Sequence, residues 1–309
     1  MVNLRYHIVS LIAVFLALGI GVVMGSTVID RGVVDALNNK VNDVDNRVRR
    51  TDAENHRLSG QVEVGHNFAD QALDHVLRGR LKGVPVVTMA TEGIDRKPVE
   101  SLAQALANAQ AVAEGTVWFT TKMRLDNPGD AQALADALGV PAEAPDVVRA
   151  LALTRLATAV AGGPGSNPLA TLSQAGFVSY EPPSAAGSAT SLSLGSLPLA
   201  GSRVVVVSGA GADVGDDQLG LPLARQLVKA AVRVVAAEAG RDTPGGRGVF
   251  VGLLRRDADV AARLSTVDDL ESSMGEAATV LALDDLGVPR TGHFGVGPGA
   301  QRLLPTVRP

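Results

Sequence analysis

Hydrophobic positions fall into three regimes along this chain. From Ile8 to Ile29 an uncharged run of 22 residues, IVSLIAVFLALGIGVVMGSTVI, is predominantly apolar. At about 1.5 Å per residue, a helix of this length crosses a hydrocarbon core of about 30 Å. Arg5 and His7 precede the run; Asp30, Arg31 and Asp35 follow it. The positive-inside rule puts the head (1–7) in the cytoplasm and everything after the span (8–29) outside. A cleaved signal peptide is the alternative, but the run is long for one and no A-x-A site closes it. The segment reads as an uncleaved, single-pass cell-membrane anchor. Gly21 and Gly25 form a GxxxG spacing that lets two spans approach closely.

The second regime, residues 30–80, repeats in heptads. With Val34 at position a, the a series is Val34, Val41, Val48, Asn55, Val62, Ala69 and Val76, and the d series is Leu37, Val44, Thr51, Leu58, Gly65 and Ala72. β-Branched residues at a favour two parallel strands, and a central Asn at a fixes register because its amide finds a partner only in a matched pair. Lys40 (g) would face Asp45 (e) of a second copy, and Arg47 would face Asp52. The predicted homodimer seam is therefore Val34, Leu37, Val41, Val44, Val48, Asn55, Leu58 and Val62. Beyond it, Gly60, Gly65 and Ala69 leave little to bury. The competing reading is one amphipathic helix lying on the globular domain.

From Val84 onward short apolar runs alternate with helical patterns. Val84–Thr91 and Thr116–Leu125 read as strands flanking a helix from Pro98 to Ala113, with proline at its first turn. Helices are expected at Asp130–Leu138, Pro145–Ala161 and up to Gln174, then a strand at Gly176–Tyr180. Pro182–Pro198, rich in Ser, Ala and Gly, reads as a linker. Strands follow at Arg203–Gly209, Arg233–Gly240, Gly248–Arg256 and Thr279–Leu283, with helices at Leu219–Ala231 and near Gly275. The alternation predicts an α/β fold with a mostly parallel sheet. Similar spacing in both halves predicts two related, Rossmann-like lobes, 84–180 and 199–309, joined by the linker 181–198.

Composition narrows the functions. The net charge is −4, against a nucleic-acid partner, which would need a basic surface. Cysteine is absent, which excludes disulfides, thiolate metal sites and a Cys nucleophile. Gly209-Ala-Gly211-Ala-Asp-Val-Gly215, after a strand and with Glu238 ending the next one, imitates a dinucleotide fingerprint. Its third glycine falls one place late and Pro222 interrupts the following helix, so a glycine-rich turn is the plainer reading. Copper would want clustered imidazole or soft ligands. His7, His56, His66, His75 and His293 show no helical pairing, and Met24, Met89, Met123 and Met274 are scattered, with Met89 and Met123 on core strands. Asp216-Asp217, Asp268-Asp269 and Asp284-Asp285 read as solvated loop acids, with no His or GxSxG serine beside them. The tail Gly292–Pro305 (GHFGVGPGAQRLLP) could cradle a group with backbone N–H donors. No catalytic residue and no cofactor is expected, and the chain reads as a non-enzyme.

The opening NLRYHIVSLIAVFLALGIGVVMGS, the Val-rich heptads, STVDDLESSMGEAATVLAL and the ending HFGVGPGAQRLLP together resemble the actinobacterial copper-transporter family, over the whole chain. The family is also similar to a membrane partner in actinobacterial cell division. The resemblance implies copper efflux or homeostasis in the cell envelope, with copper handled in some form. It equally implies a non-enzymatic division or wall-remodelling scaffold with a cytoplasmic partner. It carries no residue-level set of copper ligands onto this sequence.

Overall fold

The computed structural model describes residues 4–164, 167–183, 194–240, 249–287 and 290–306, apart from the side chains of 26–32, 66 and 196. The chain divides into two compact units, Met1–His66 and Asn67–Pro309. The first is made by helix α1 (Leu4–Leu77), whose turns from Asn67 onward belong to the second. Leu4–Gly25 of α1 is long and apolar enough to cross a membrane. Its heptad region carries local ion pairs, Arg49 to Asp45 at 2.9 Å and Arg57 to Glu54. Asp45, expected to face Lys40 of a second copy, is thus engaged along its own helix.

The second unit is built on one seven-stranded sheet, ordered β3-β2-β1-β4-β5-β6-β7. The strands are β1 (Pro85–Thr91), β2 (Val112–Phe119), β3 (Val178–Glu181), β4 (Arg203–Gly209), β5 (Val234–Ala239), β6 (Ser265–Val267) and β7 (His293–Phe294). Every pairing is parallel except that of β2 with β3. Helices α2 (Lys97–Asn108), α3 (Pro128–Leu138), α4 (Pro145–Val160), α5 (Leu169–Gln174), α6 (Gly220–Lys229), α7 (Phe250–Arg256), α8 (Ala258–Ala261) and α9 (Ser273–Asp285) cover it. One core joins α3–α8 to Val87, Met89, Val204 and Val206; the other joins the end of α1, α2 and α9 to Val86, Ala90, Val205 and Val207.

This corrects the two-lobe expectation. The two halves meet as β1 and β4, paired from Val86–Arg203 to Ala90–Val207. Both strands are apolar runs with both faces buried, so each needs neighbours on both edges, and they supply one another. The linker's residues 184–193 lie outside the described residues. Its far end is core rather than linker, since Leu197 is buried in the first cluster.

Element boundaries shift for local reasons. Helix α2 stops at Asn108, and Gln110 (φ 59°) reverses the chain into β2, so Ala113 is strand and not helix. Strand β2 ends at Phe119, where Thr120 caps a single 3-10 turn, Thr121–Arg124, closed by Leu125 at φ 61°. Of the expected strand Gly248–Arg256, Gly248 lies outside the described residues and Phe250–Arg256 is helix α7. Its buried residues Phe250, Val251 and Leu254 share one helical face, a pattern a short apolar run does not distinguish from a strand. The expected strand Thr279–Leu283 lies inside α9, buried from Ala277 to Leu283 with no polar face to reveal a period. Pro222 sits in the first turn of α6, where no N–H is required, and does not break it.

Candidate functional site

In an open α/β sheet, ligands bind beyond the carboxyl ends of the strands where the order reverses. Here that point lies between β1 and β4, and the chain fills it with its own backbone. The Asp213 N–H donates to the Glu92 carbonyl at 2.7 Å, and Arg124 Nε donates to the Asp213 carbonyl. A Cβ on Gly93 (φ 93°) would stand 2.3 Å from the Gly211 carbonyl oxygen. Gly209 and Gly211 therefore serve close approach between two loops, the first against Ala239 and the second against Gly93.

The acidic residue of the apparent fingerprint is also engaged. The Glu238 carboxylate accepts from the N–H groups of Val249 (3.2 Å) and Val251 (2.9 Å), at the start of α7. Nearby, the Ser208 hydroxyl donates to the Asp216 carboxylate, and both are buried. Burial, opposed by Ser208 and aided by Asp217, pushes the Asp216 carboxyl up to about 6. Glu114 is a second buried acid: the Ser202 hydroxyl donates to its Oε2 at 2.9 Å, and burial raises its pKa.

The third arrangement unites the two most distinctive segments of the sequence. Asp268, from STVDD, forms a 2.7 Å ion pair with Arg255 of α7, the side chains being 2% and 7% exposed. Asp268 Oδ1 also accepts from the N–H groups of Val296 (2.8 Å) and Gly297 (2.9 Å). Arg255 donates to Thr266 Oγ1 and to the carbonyls of Phe294 and Pro298. Thr266 Oγ1 in turn lies 2.9 Å from His293 Nδ1, and burial beside Arg255 lowers the pKa of that imidazole. The glycine-rich tail is a cradle, and its occupant is the chain's own carboxylate. A Cβ at Gly295 would lie 2.1 Å from Asp268 Oδ1, and one at Gly297 would lie 2.9 Å from Oδ2.

These contacts correct the reading of the acid pairs as solvated. Asp216 and Asp269 are buried, and the Asp268 side chain is nearly so, whereas Asp217 is exposed as expected and Asp284 and Asp285 are half-buried. The sequence missed the Arg255–Asp268 pair because Arg255, 13 residues earlier, was read into a strand and Asp268 into a solvated loop. The signal that could have found it is three glycines in five residues, which only a close neighbour explains.

The predicted seam residues lie together on α1: Val34, Leu37, Val41, Val44, Val48, Asn55, Leu58 and Val62 are all exposed in the single chain. Val76, the last a position, instead packs against the second core. Met89 and Met123 are buried core residues. Among the described residues, no three His, Asp or Glu side chains converge in a metal-binding arrangement.

The profile of the family described as "Copper transport outer membrane protein, MctB" matches residues 1–305. The chain is similar to "Copper transporter MctB" of Mycobacterium tuberculosis (strain ATCC 25618 / H37Rv), 28% identical over 322 residues, covering 98% of this chain and 99% of that protein. The protein of the same name from Mycobacterium leprae (strain TN) is 28% identical over 331 residues, with the same coverage.

Proposed function

We propose, from the premise that this chain belongs to the MctB copper transport outer membrane protein family, that it is a membrane-anchored envelope protein serving copper homeostasis as a dimeric scaffold rather than as a pore. The observation that carries the reading is one candidate membrane helix among the described residues, Leu4–Gly25, in a chain that matches the family over residues 1–305. One helix per chain gives a dimer two, too few to enclose a water-filled path through lipid. The sheet is open and covered by helices on both faces, unlike a membrane barrel.

Donor chemistry favours an indirect role with copper. There is no cysteine, two of the methionines are core residues, and His293 is tied to Thr266. Copper is then the substrate of a larger assembly that this protein supports. Its head is cytoplasmic and the α/β unit extracytoplasmic, a topology supported by Arg5 and His7 ahead of the span. The exposed apolar seam favours a homodimer. The same architecture supports the second reading, a division or wall-remodelling scaffold that couples a cytoplasmic partner to the envelope.

The test is a titration of the full chain in detergent with Cu(I) and Cu(II) against a competing chelator, together with deletion in the host. We expect no stoichiometric sub-micromolar binding and a copper-sensitive deletion strain, rescued by the wild-type chain. Tight binding abolished by His→Ala changes would restore a direct transport role. A deletion strain indifferent to copper but defective in septation would favour the second reading.

A further inference from the structure

The last turns of α1 dock on α2 and α9 within the second unit. Leu77 is buried in the second core, with Leu73 and Val76 packed partly against it. Polar contacts flank this apolar strip. The Ser273 hydroxyl donates to Asp70 Oδ1, and the Asn108 amide donates to Asp74 Oδ1 at 2.5 Å. The three elements line an open cleft of about 690 Å³. Its charged lining is Asp70 and Asp74 from α1 and Glu276 from α9; α2 contributes the neutral Ser101, Gln104 and Asn108, and no cationic side chain lines it among the described residues.

Three carboxylates thus face one cleft without a compensating charge. Charging Glu276 there is opposed by its burial and then by Asp70, with Ser101 as a hydrogen-bond partner that offsets part of the effect, and its pKa rises to about 7. We propose that Asp70–Leu77 is a proton-sensitive clasp, seated on α2 and α9 when Glu276 is protonated and loosened when Glu276 and Asp70 are both charged. The coupling follows from linkage: a carboxyl made harder to ionise by a docked segment is, reciprocally, a carboxyl whose ionisation disfavours docking. The docked state is favoured below the ordinary carboxylate range, and that advantage is lost as pH rises toward and through about 7. The inference rests on Glu276 and its neighbours and is independent of any role in copper handling.

Hydrogen–deuterium exchange on the full chain in detergent tests it, at pH 6 and pH 8 with the intrinsic exchange rate corrected. Peptides covering 70–77 should lose about tenfold in protection between the two, the change that one pKa unit of coupling corresponds to. Peptides of β4 should not change. Glu276→Gln should keep the segment protected at both pH values, and Asp70→Asn should shrink the difference. Should Glu276→Gln fail to fold, Asp70→Asn, on an exposed side chain, carries the test alone. A wild-type segment equally protected at both pH values overturns the proposal, as does an undiminished pH response in the variants.

Discussion

Arg255 and Asp268 form a fully hydrogen-bonded, buried ion pair, and the glycine-rich tail is wrapped around it. Removing one partner of such a pair costs more than the pair contributes, because the other is left as an uncompensated buried charge. Asp268→Ala should therefore destabilise the second unit by about 3–5 kcal/mol in chemical denaturation. Asp268→Asn keeps an acceptor for Val296 and Gly297 and should cost less. Equal losses in both variants would show that the charge is immaterial.

Gly93 and Gly176 offer a contrast in what a methyl group meets. Gly93→Ala combines a positive φ with a 2.3 Å clash against backbone, and should cost at least about 2 kcal/mol. Gly176 has φ 79° but nothing within 4 Å, so Gly176→Ala should cost only the left-handed penalty, about 1 kcal/mol. Thermal unfolding of the two variants beside the wild type measures the difference. Similar losses would mean that the β1 and β4 loops part easily.

Asp216 gives stability a pH dependence of definite sign. Its carboxyl is raised to about 6, so the folded chain holds that proton more tightly than the unfolded chain does. Its contribution is present below the ordinary aspartate value near 4 and is lost as pH rises through about 6. Glu114, also raised by burial, acts in the same direction. Denaturant midpoints should fall between pH 5 and 7.5, and Asp216→Asn should flatten part of that slope. A variant slope as steep as the wild type's would count against the assignment.

The exposed seam on α1 predicts assembly. Leu37→Asp combined with Leu58→Asp should yield monomers by sedimentation in detergent. Asn55→Val should raise the melting temperature while loosening the oligomeric state, because a buried amide gives up stability for register. A double-Asp variant that stays dimeric would move the interface elsewhere.

What the sequence made legible follows from how each signal is encoded. The β4 run RVVVVSG is apolar on both faces and was readable within a residue of its bounds. Helices α2 and α4 announced themselves with proline at their starts, while α3 begins at Pro128, two residues before the expected Asp130. Helix α7 and the later turns of α9 were hidden, because a short or largely buried helical stretch has no polar face to set its period; the helix expected near Gly275 is the start of α9. The acid pairs misled for a different reason. Whether Asp216 or Asp268 meets water is decided by Ser208, Arg255 and the tail, partners that local pattern does not connect. Glu276 escaped notice altogether, since its neighbour Asp70 comes from a helix about two hundred residues earlier.

The pairing of β1 with β4 also sets an order of events in synthesis. Met89 must wait for Val206 before the centre of the sheet can close, more than a hundred residues later on the ribosome. Through its first unit α1 is a continuous helix of local hydrogen bonds, so it can be complete while the sheet is still half translated. A chain caught in that interval has β1 and β2 formed with one long apolar edge bare, the kind of edge that pairs with a neighbouring chain. If α1 pairs with a second copy first, that neighbour is held close by, and mispairing between two nascent sheets is favoured. Expression at lower temperature or with slower translation should therefore change the yield of folded chain more than it changes its stability.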